Sequence, residues 1–159
     1  MKIDGSRLFS RGKFLLPFII LLTISSILAG CSGNPTTPNM DLDKMAPMSD
    51  MPEEVQNAPV TVQVSYQFAV ANPDALKNVP CYCGCGKVGH TSNYSCYVKE
   101  INSSGEIIFD YHSLGCSICV DIAQDVIKMT TDGKAPEKIR ETIDLKYSQY
   151  GTSNMQPVP

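Results

Sequence analysis

Past its first thirteen residues the sequence has no run of basic residues. It has no glycine-rich phosphate loop, nothing that resembles a hydrolytic triad and no carboxylate pair. These absences leave little room for a kinase or a hydrolase of the usual kinds. The charge points away from nucleic acid as well. Lys and Arg number 13 against 16 Asp and Glu, a net charge of −3, with no basic face in evidence. Histidine is scarce, at 2 in 159 residues, tryptophan is absent, and no internal repeat of useful length is found. The chain does have 7 cysteines. Their spacing carries most of what can be inferred.

The N-terminal stretch reads as a targeting segment. Residues 1–13 carry Lys2, Arg7, Arg11 and Lys13 against Asp4, and an apolar run from Phe14 to Gly30 follows. A basic start, an apolar centre and small closing residues form a secretory signal pattern. The run is short for a membrane span, and Pro17 interrupts it. Its end, Leu28-Ala29-Gly30-Cys31, resembles a bacterial lipobox. That resemblance implies cleavage before Cys31 and a diacylglycerol thioether on its sulfur. Two acyl chains anchor stably, at about 0.8 kcal/mol per buried CH₂. The expected location is the extracytoplasmic face of the cell membrane. Removing residues 1–30 takes away four basic residues and one acidic one, so the net charge goes from −3 to −6. A mild acidic surface of this kind serves solubility.

Residues 31–59 contain Pro35, Pro38, Pro47, Pro52 and Pro59 among small polar residues, and read as a disordered tether. Met40, Met45, Met48 and Met51 fall within it, and thioethers are soft ligands suited to Cu(I). A compact domain is expected over 60–150, of α+β class and mainly helical. VTVQVSYQFAV, from Val60, alternates as a strand does but also fits a helix broken near Asn72-Pro73. Asn72 as N-cap and Pro73 at the first position predict a short helix ending before Pro80. Two β-rich runs, 96–101 and 106–111, flank Asn102-Ser103-Ser104-Gly105 and predict a hairpin. Ile118, Ile122, Val126 and Met129 recur at helical spacing, Gly133 is placed to stop that helix, and Pro136 to start another with Ile139, Ile143 and Tyr147 on one face. The pair predicts a helical hairpin. Residues 151–159 read as a frayed tail.

Residues 80–85 read Pro-Cys-Tyr-Cys-Gly-Cys. In extended chain, alternate residues lie about 6.6–6.8 Å apart with side chains on one face. That is the upper edge of the disulfide range, so a local bridge needs a bent backbone. Three thiols cannot all pair with one another. Gly84 and Gly86 allow a turn that converges the sulfurs on one point, as Cu(I) or Zn²⁺ requires. His90 follows Cys85 by five residues, and His112 precedes Cys116 by four. The candidate ligands are therefore Cys81, Cys83, Cys85, His90, Cys96, His112, Cys116 and Cys119, enough for two four-coordinate sites. Cys116-Ser117-Ile118-Cys119 at a helix start has three readings: a redox thiolate favoured by the helix terminus, a chelating pair, or an inert disulfide.

The segment 80–85, with Gly89-His90, Cys96, His112 and Cys116-x2-Cys119, resembles a family of bacterial lipoproteins named for the PCYCGC motif, over about Tyr66 to Tyr147. That resemblance implies no activity. The segment from Cys116 to Gly151, with Ile122-Ala123, Gly133, Glu137, Ile139-Arg140 and Tyr150-Gly151, is similar to the periplasmic domain of the cytochrome c maturation thiol-reductase subunit. This likeness implies a small helical bundle with Cys116 and Cys119 as a redox pair. Gly115 and Val120 stand where that family has Arg and Gln.

Three functions follow from these residues. One is a membrane-anchored protein that binds copper or zinc through clustered Cys and His, by capture rather than turnover. A second is a thiol–disulfide oxidoreductase or maturation factor using Cys116 and Cys119. The third is a disulfide-stapled recognition domain, for which six cysteines allow 15 pairings.

Overall fold

The computed structural model describes residues 45–156. The signal segment, Cys31, Met40 and residues 157–159 lie outside the described residues. Over the described residues the fold is α+β and mainly helical: five α-helices and one two-stranded antiparallel hairpin. Among the described residues no helix is long and apolar enough to cross a membrane.

The folded unit begins well before Val60, which corrects the expected tether boundary. Helix α1 (Glu53–Gln56) buries Val55 completely, and Met51 is 4% exposed. Ala46 and Gln67 clasp each other: Ala46 N–H donates to the Gln67 carbonyl (3.2 Å), and Gln67 Nε2 donates to the Ala46 carbonyl (2.7 Å). Prolines at 47, 52 and 59 each stand at the N-cap place of a helical segment, Met48–Asp50, Glu53–Gln56 and Val60–Ala71, where no backbone N–H is needed for an intrahelical bond. Met51 and Met48 pack into or against the core, and Met45 remains exposed.

Helix α2 (Val60–Ala71) replaces the alternative strand. Its buried stripe is Val62, Ser65, Tyr66 and Ala69, spaced i, i+3, i+4, i+7. Ser65 hides that period because it is polar. Its hydroxyl donates to the Thr61 carbonyl (2.8 Å), which makes its burial tolerable. Helix α3 (Pro73–Lys77) starts as expected, with Pro73 at the first position and Asn72 in the N-cap place. The Asn72 side chain turns to the Phe68 carbonyl (3.4 Å).

Strands β1 (Val98–Ile101) and β2 (Ile107–Phe109) pair antiparallel with a bulge between Val98 and Glu100. Asn102 Oδ1 holds the turn by accepting from Ser104 N–H (3.0 Å) and Glu106 N–H (2.9 Å). Helices α4 (Ser117–Thr131) and α5 (Pro136–Tyr147) form the expected helical hairpin, with Gly133 at φ 72 between them. Ile122, Val126, Met129, Ile139, Ile143 and Tyr147 are buried. At about 1.5–3 kcal/mol each, such side chains supply the main drive for packing. Asp125 fixes the angle between the helices by taking bonds from Lys146 Nζ (2.6 Å) and Tyr147 Oη (2.8 Å). Gln124 ties α4 to α2 through Thr61 O and Ser65 Oγ.

The segment after Gly151 is docked, not frayed, over its described residues. Asn154 accepts from Cys81 N–H (2.7 Å), donates its own N–H to the Cys81 carbonyl (3.1 Å), and gives Nδ2 to the Ser92 carbonyl (3.2 Å). Gly151 lies so close beneath the motif that a Cβ there would stand 2.6 Å from the Tyr82 carbonyl oxygen.

Candidate metal centre

Three chain segments deliver the sulfurs. The Cys81–Cys85 loop lies against the C-terminal segment. Gly84 takes φ 86, a left-handed turn that costs glycine little, and swings Cys85 inward at the start of a 3₁₀ turn. Cys96 ends another 3₁₀ turn just before β1. Cys116 occupies the N-cap place of α4, and Cys119 lies in its first turn. His90 follows the first loop. His112 opens the 3₁₀ turn between β2 and α4. Eight donors separated by up to 38 positions thus meet in one place.

The donors form overlapping groups in which every ligand atom lies within 4.8 Å of the others. Cys83, His112, Cys116 and Cys119 form one, and Cys85, His90 and Cys96 another. Cys81 with Cys83 and Cys85, and Cys81 with Cys96 and Cys119, connect them. The Sγ separations are 3.3 Å for Cys81–Cys119, 3.4 Å for Cys81–Cys83, 3.6 Å for Cys83–Cys119 and 3.8 Å for Cys85–Cys96. Cys83 Sγ is 3.4 Å from His112 Nε2, and Cys96 Sγ is 3.5 Å from His90 Nδ1.

These distances test the fit to a metal. A tetrahedral ion with metal–sulfur bonds of about 2.3 Å has sulfur–sulfur edges of about 3.8 Å and, with nitrogen at about 2.0–2.1 Å, mixed edges of about 3.6 Å. The two Cys–His edges agree within about 0.2 Å of that value, and the sulfur edges run from a match to somewhat short. A disulfide needs about 2.05 Å and no separation approaches it. All six described cysteines are free thiols.

The thiols divide the charge unequally. A hydrogen bond with Cys119, assisted by Cys96, lowers Cys81 to about 7 against the opposing effects of Cys85 and burial. Cys119, then Cys81 and Cys96, hold Cys85 well below the usual thiol range. Cys119 is pushed up by Cys81, Cys85, Cys96 and burial. Burial, then the neighbouring Cys81 charge, pushes Cys83 up. Cys96 is lowered by its bond with Cys119, but Cys81, Cys85 and burial outweigh that and raise it. In the metal-free cluster Cys83, Cys96 and Cys119 are therefore the thiols held protonated, by burial and by their sulfur neighbours. A metal ion would have to displace them.

Residues outside the sequence-derived ligand set orient the donors. Asp110 Oδ2 faces His90 Nε2 at 3.3 Å, which leaves Nδ1 toward Cys96, the usual arrangement around a metal-bound imidazole. Asp110 Oδ1 also accepts the backbone N–H of His112 (2.8 Å). Tyr66 Oη donates to the Asp110 carbonyl (2.7 Å) and holds the residue in place. Tyr97 Oη (2.8 Å) and Asn93 Nδ2 (3.2 Å) both donate to the Cys119 carbonyl. Ser113 Oγ donates to the Cys96 carbonyl (2.9 Å). Asn154 Nδ2 reaches Cys85 Sγ at 3.5 Å. Asp110 lay within reach of sequence reasoning, as a carboxylate two residues before His112. Asn154 had no local signal, being 73 positions from Cys81.

The cluster of Cys and His side chains is close enough to hold a metal ion. No curated protein and no solved structure matches the chain, and the likeness of the C-terminal segment to the thiol-reductase subunit is not shown. One family model does match. It is described as a protein of unknown function with PCYCGC motif, it covers residues 20–159, and the chain belongs to that family.

Proposed function

We propose that this protein is a lipid-anchored, extracytoplasmic binder of a soft transition metal, copper or zinc. The observation that carries the reading is the pair of Cys–His edges, 3.4 and 3.5 Å, each set within a group of cysteine sulfurs. Thiolate and imidazole together select Zn²⁺, Cu(I) and similar ions over Mg²⁺ or Ca²⁺. The Asp110–His90 contact supports it too, since such a carboxylate fixes the tautomer of a ligating imidazole. The ligands would be drawn from Cys81, Cys83, Cys85, His90, Cys96, His112, Cys116 and Cys119, in sets of up to four. The activity is capture, and no step of turnover is required.

The dithiol reading narrows on this geometry to Cys116 as nucleophile. Cys119 is fully buried and its thiol is pushed up by Cys81 and its other sulfur neighbours, which leaves it only the resolving role, while Cys116 is half-buried at the helix N-cap. The anchor rests on Leu28-Ala29-Gly30-Cys31. Metal analysis of the full chain, purified reduced and without a metal-binding tag, tests the capture. Stoichiometric copper or zinc is expected. A chain that arrives empty and takes up neither on titration rules the reading out. Mass spectrometry of the mature chain from its membranes tests the anchor: a diacylglycerol-modified Cys31 at the N-terminus is expected, and an unmodified Cys31 within an uncut chain removes it.

A further inference from the structure

The eight donors are not equivalent. Cys83, His112, Cys116 and Cys119 make a complete four-donor set, and three of them are only half-buried. Cys85, His90 and Cys96 make a three-donor set that is enclosed, with the His90 side chain 10% exposed and both cysteines buried. Cys81 is the sulfur left over. It is fully buried and belongs to groups that include Cys85 and Cys96 on one side, and Cys83 and Cys119 on the other. Its nearest sulfurs are those of the outer set, at 3.3 and 3.4 Å. The backbone of Cys81 is held on both its N–H and its carbonyl by Asn154.

Building on the metal-binding reading above, we propose that the cluster takes two ions in unequal sites. The outer site, on Cys83, His112, Cys116 and Cys119, is the port of entry. The inner site, on Cys85, His90 and Cys96 with Cys81 as fourth donor, is the place of retention. Cys81, resting on the Cys83–Cys119 edge, is the point where an ion passes from one to the other. The passage is ligand exchange. A metal–sulfur bond to Cys83 or Cys119 breaks as one to Cys81 forms, the thiol proton of Cys81 goes to the sulfur released or to water, and the oxidation state of the metal does not change. The outer set is then free to take a second ion.

The test uses the full chain, reduced and metal-free, loaded with ¹¹³Cd²⁺ as a spectroscopically visible soft ion, and with Zn²⁺ for kinetics. Two cadmium resonances in thiolate-rich positions are expected at saturation. A chelator should strip Zn²⁺ in two phases of equal amplitude, the fast one at least tenfold quicker. Cys81→Ser should lower the capacity from two ions to one and remove the slow phase. Cys116→Ser should slow loading of the retained ion. The unmodified chain decides the matter even if a variant fails to fold: saturation at one ion, or release of two ions in a single phase, overturns the proposal and leaves metal capture standing. A Cys81→Ser chain that folds and still holds a slowly released ion also overturns it. No uptake of either ion overturns the metal-binding reading and this proposal with it.

Discussion

Asp110 stands between the two histidines. One carboxylate oxygen lies 3.3 Å from His90 Nε2, and the other takes the backbone N–H of His112 at 2.8 Å. The His90 and His112 rings meet edge to face at 5.1 Å. A single side chain thereby meets the imidazole of His90 and holds the backbone that carries His112. Carboxylates in this position are worth about 10–100-fold in metal affinity. Asp110→Ala is expected to weaken zinc binding by about that factor, measured by competition with a chromophoric chelator. Asp110→Asn, which keeps an acceptor, should recover part of it. Equal affinity in all three chains would mean that Asp110 has no role in orienting His90.

The C-terminal segment behaves as a strap over the cysteine loop. Asn154 satisfies the Cys81 N–H and the Ser92 carbonyl, and leaving such buried groups unpaired costs about 1–3 kcal/mol apiece. Asn154→Ala should lower the melting temperature of the metal-free protein accordingly. Gly151→Ala should do so too, since its Cβ would meet the Tyr82 carbonyl oxygen at 2.6 Å, and backbone must shift to admit it. Unchanged thermal unfolding in both variants would show the segment to be loosely attached.

Metal binding should depend steeply on pH. A protonated thiol does not ligate, so binding releases protons and weakens as pH falls. Cys83, Cys96 and Cys119 are all raised within the fold, by burial and by their sulfur neighbours, so each must give up a proton at neutral pH. Cys81, lowered to about 7 mainly by Cys119, joins them below that value. The sign is therefore loss of affinity toward acid, steeper below pH 7 than above it. Chelator competition across pH 6 to 8 measures this. A flat profile would mean that the ligands are not thiolates.

Met51 should matter to stability rather than to copper. It is 4% exposed and packs within the core, so Met51→Ala should cost about 2–5 kcal/mol in urea unfolding with metal capacity unchanged. Loss of capacity without loss of stability would restore it as a ligand.

The legible parts of this fold were those written in local pattern. Asn102 to Gly105 marked the hairpin, Gly133 and Pro136 marked the joint between α4 and α5, and the Ile/Val stripe marked what those helices bury. The convergence of the eight Cys and His side chains was legible because soft-ligand residues were clustered in sequence on either side of one predicted hairpin. Failures arose where local and tertiary signals diverge. Ser65 masked the helical stripe of α2, because its hydroxyl is satisfied inside its own helix. Pro47, Pro52 and Pro59 resembled linker residues and turned out to stand just before helical segments. Asn154 and Gly151 act on a loop some seventy residues away, and nothing in a polar terminal segment announces that. The unequal burial of the two donor sets is likewise a product of packing alone.

The central claim is that the eight donors close around metal. Native and denaturing mass spectrometry of the same reduced, tag-free chain tests it most directly. Metal-bound mass is predicted under native conditions, with the six cysteines from Cys81 to Cys119 protected from alkylation, and both the added mass and the protection should vanish on acid denaturation. A metal-free mass under native conditions that stays unchanged after incubation with zinc or Cu(I), with those cysteines freely alkylated or paired in disulfides, would contradict it.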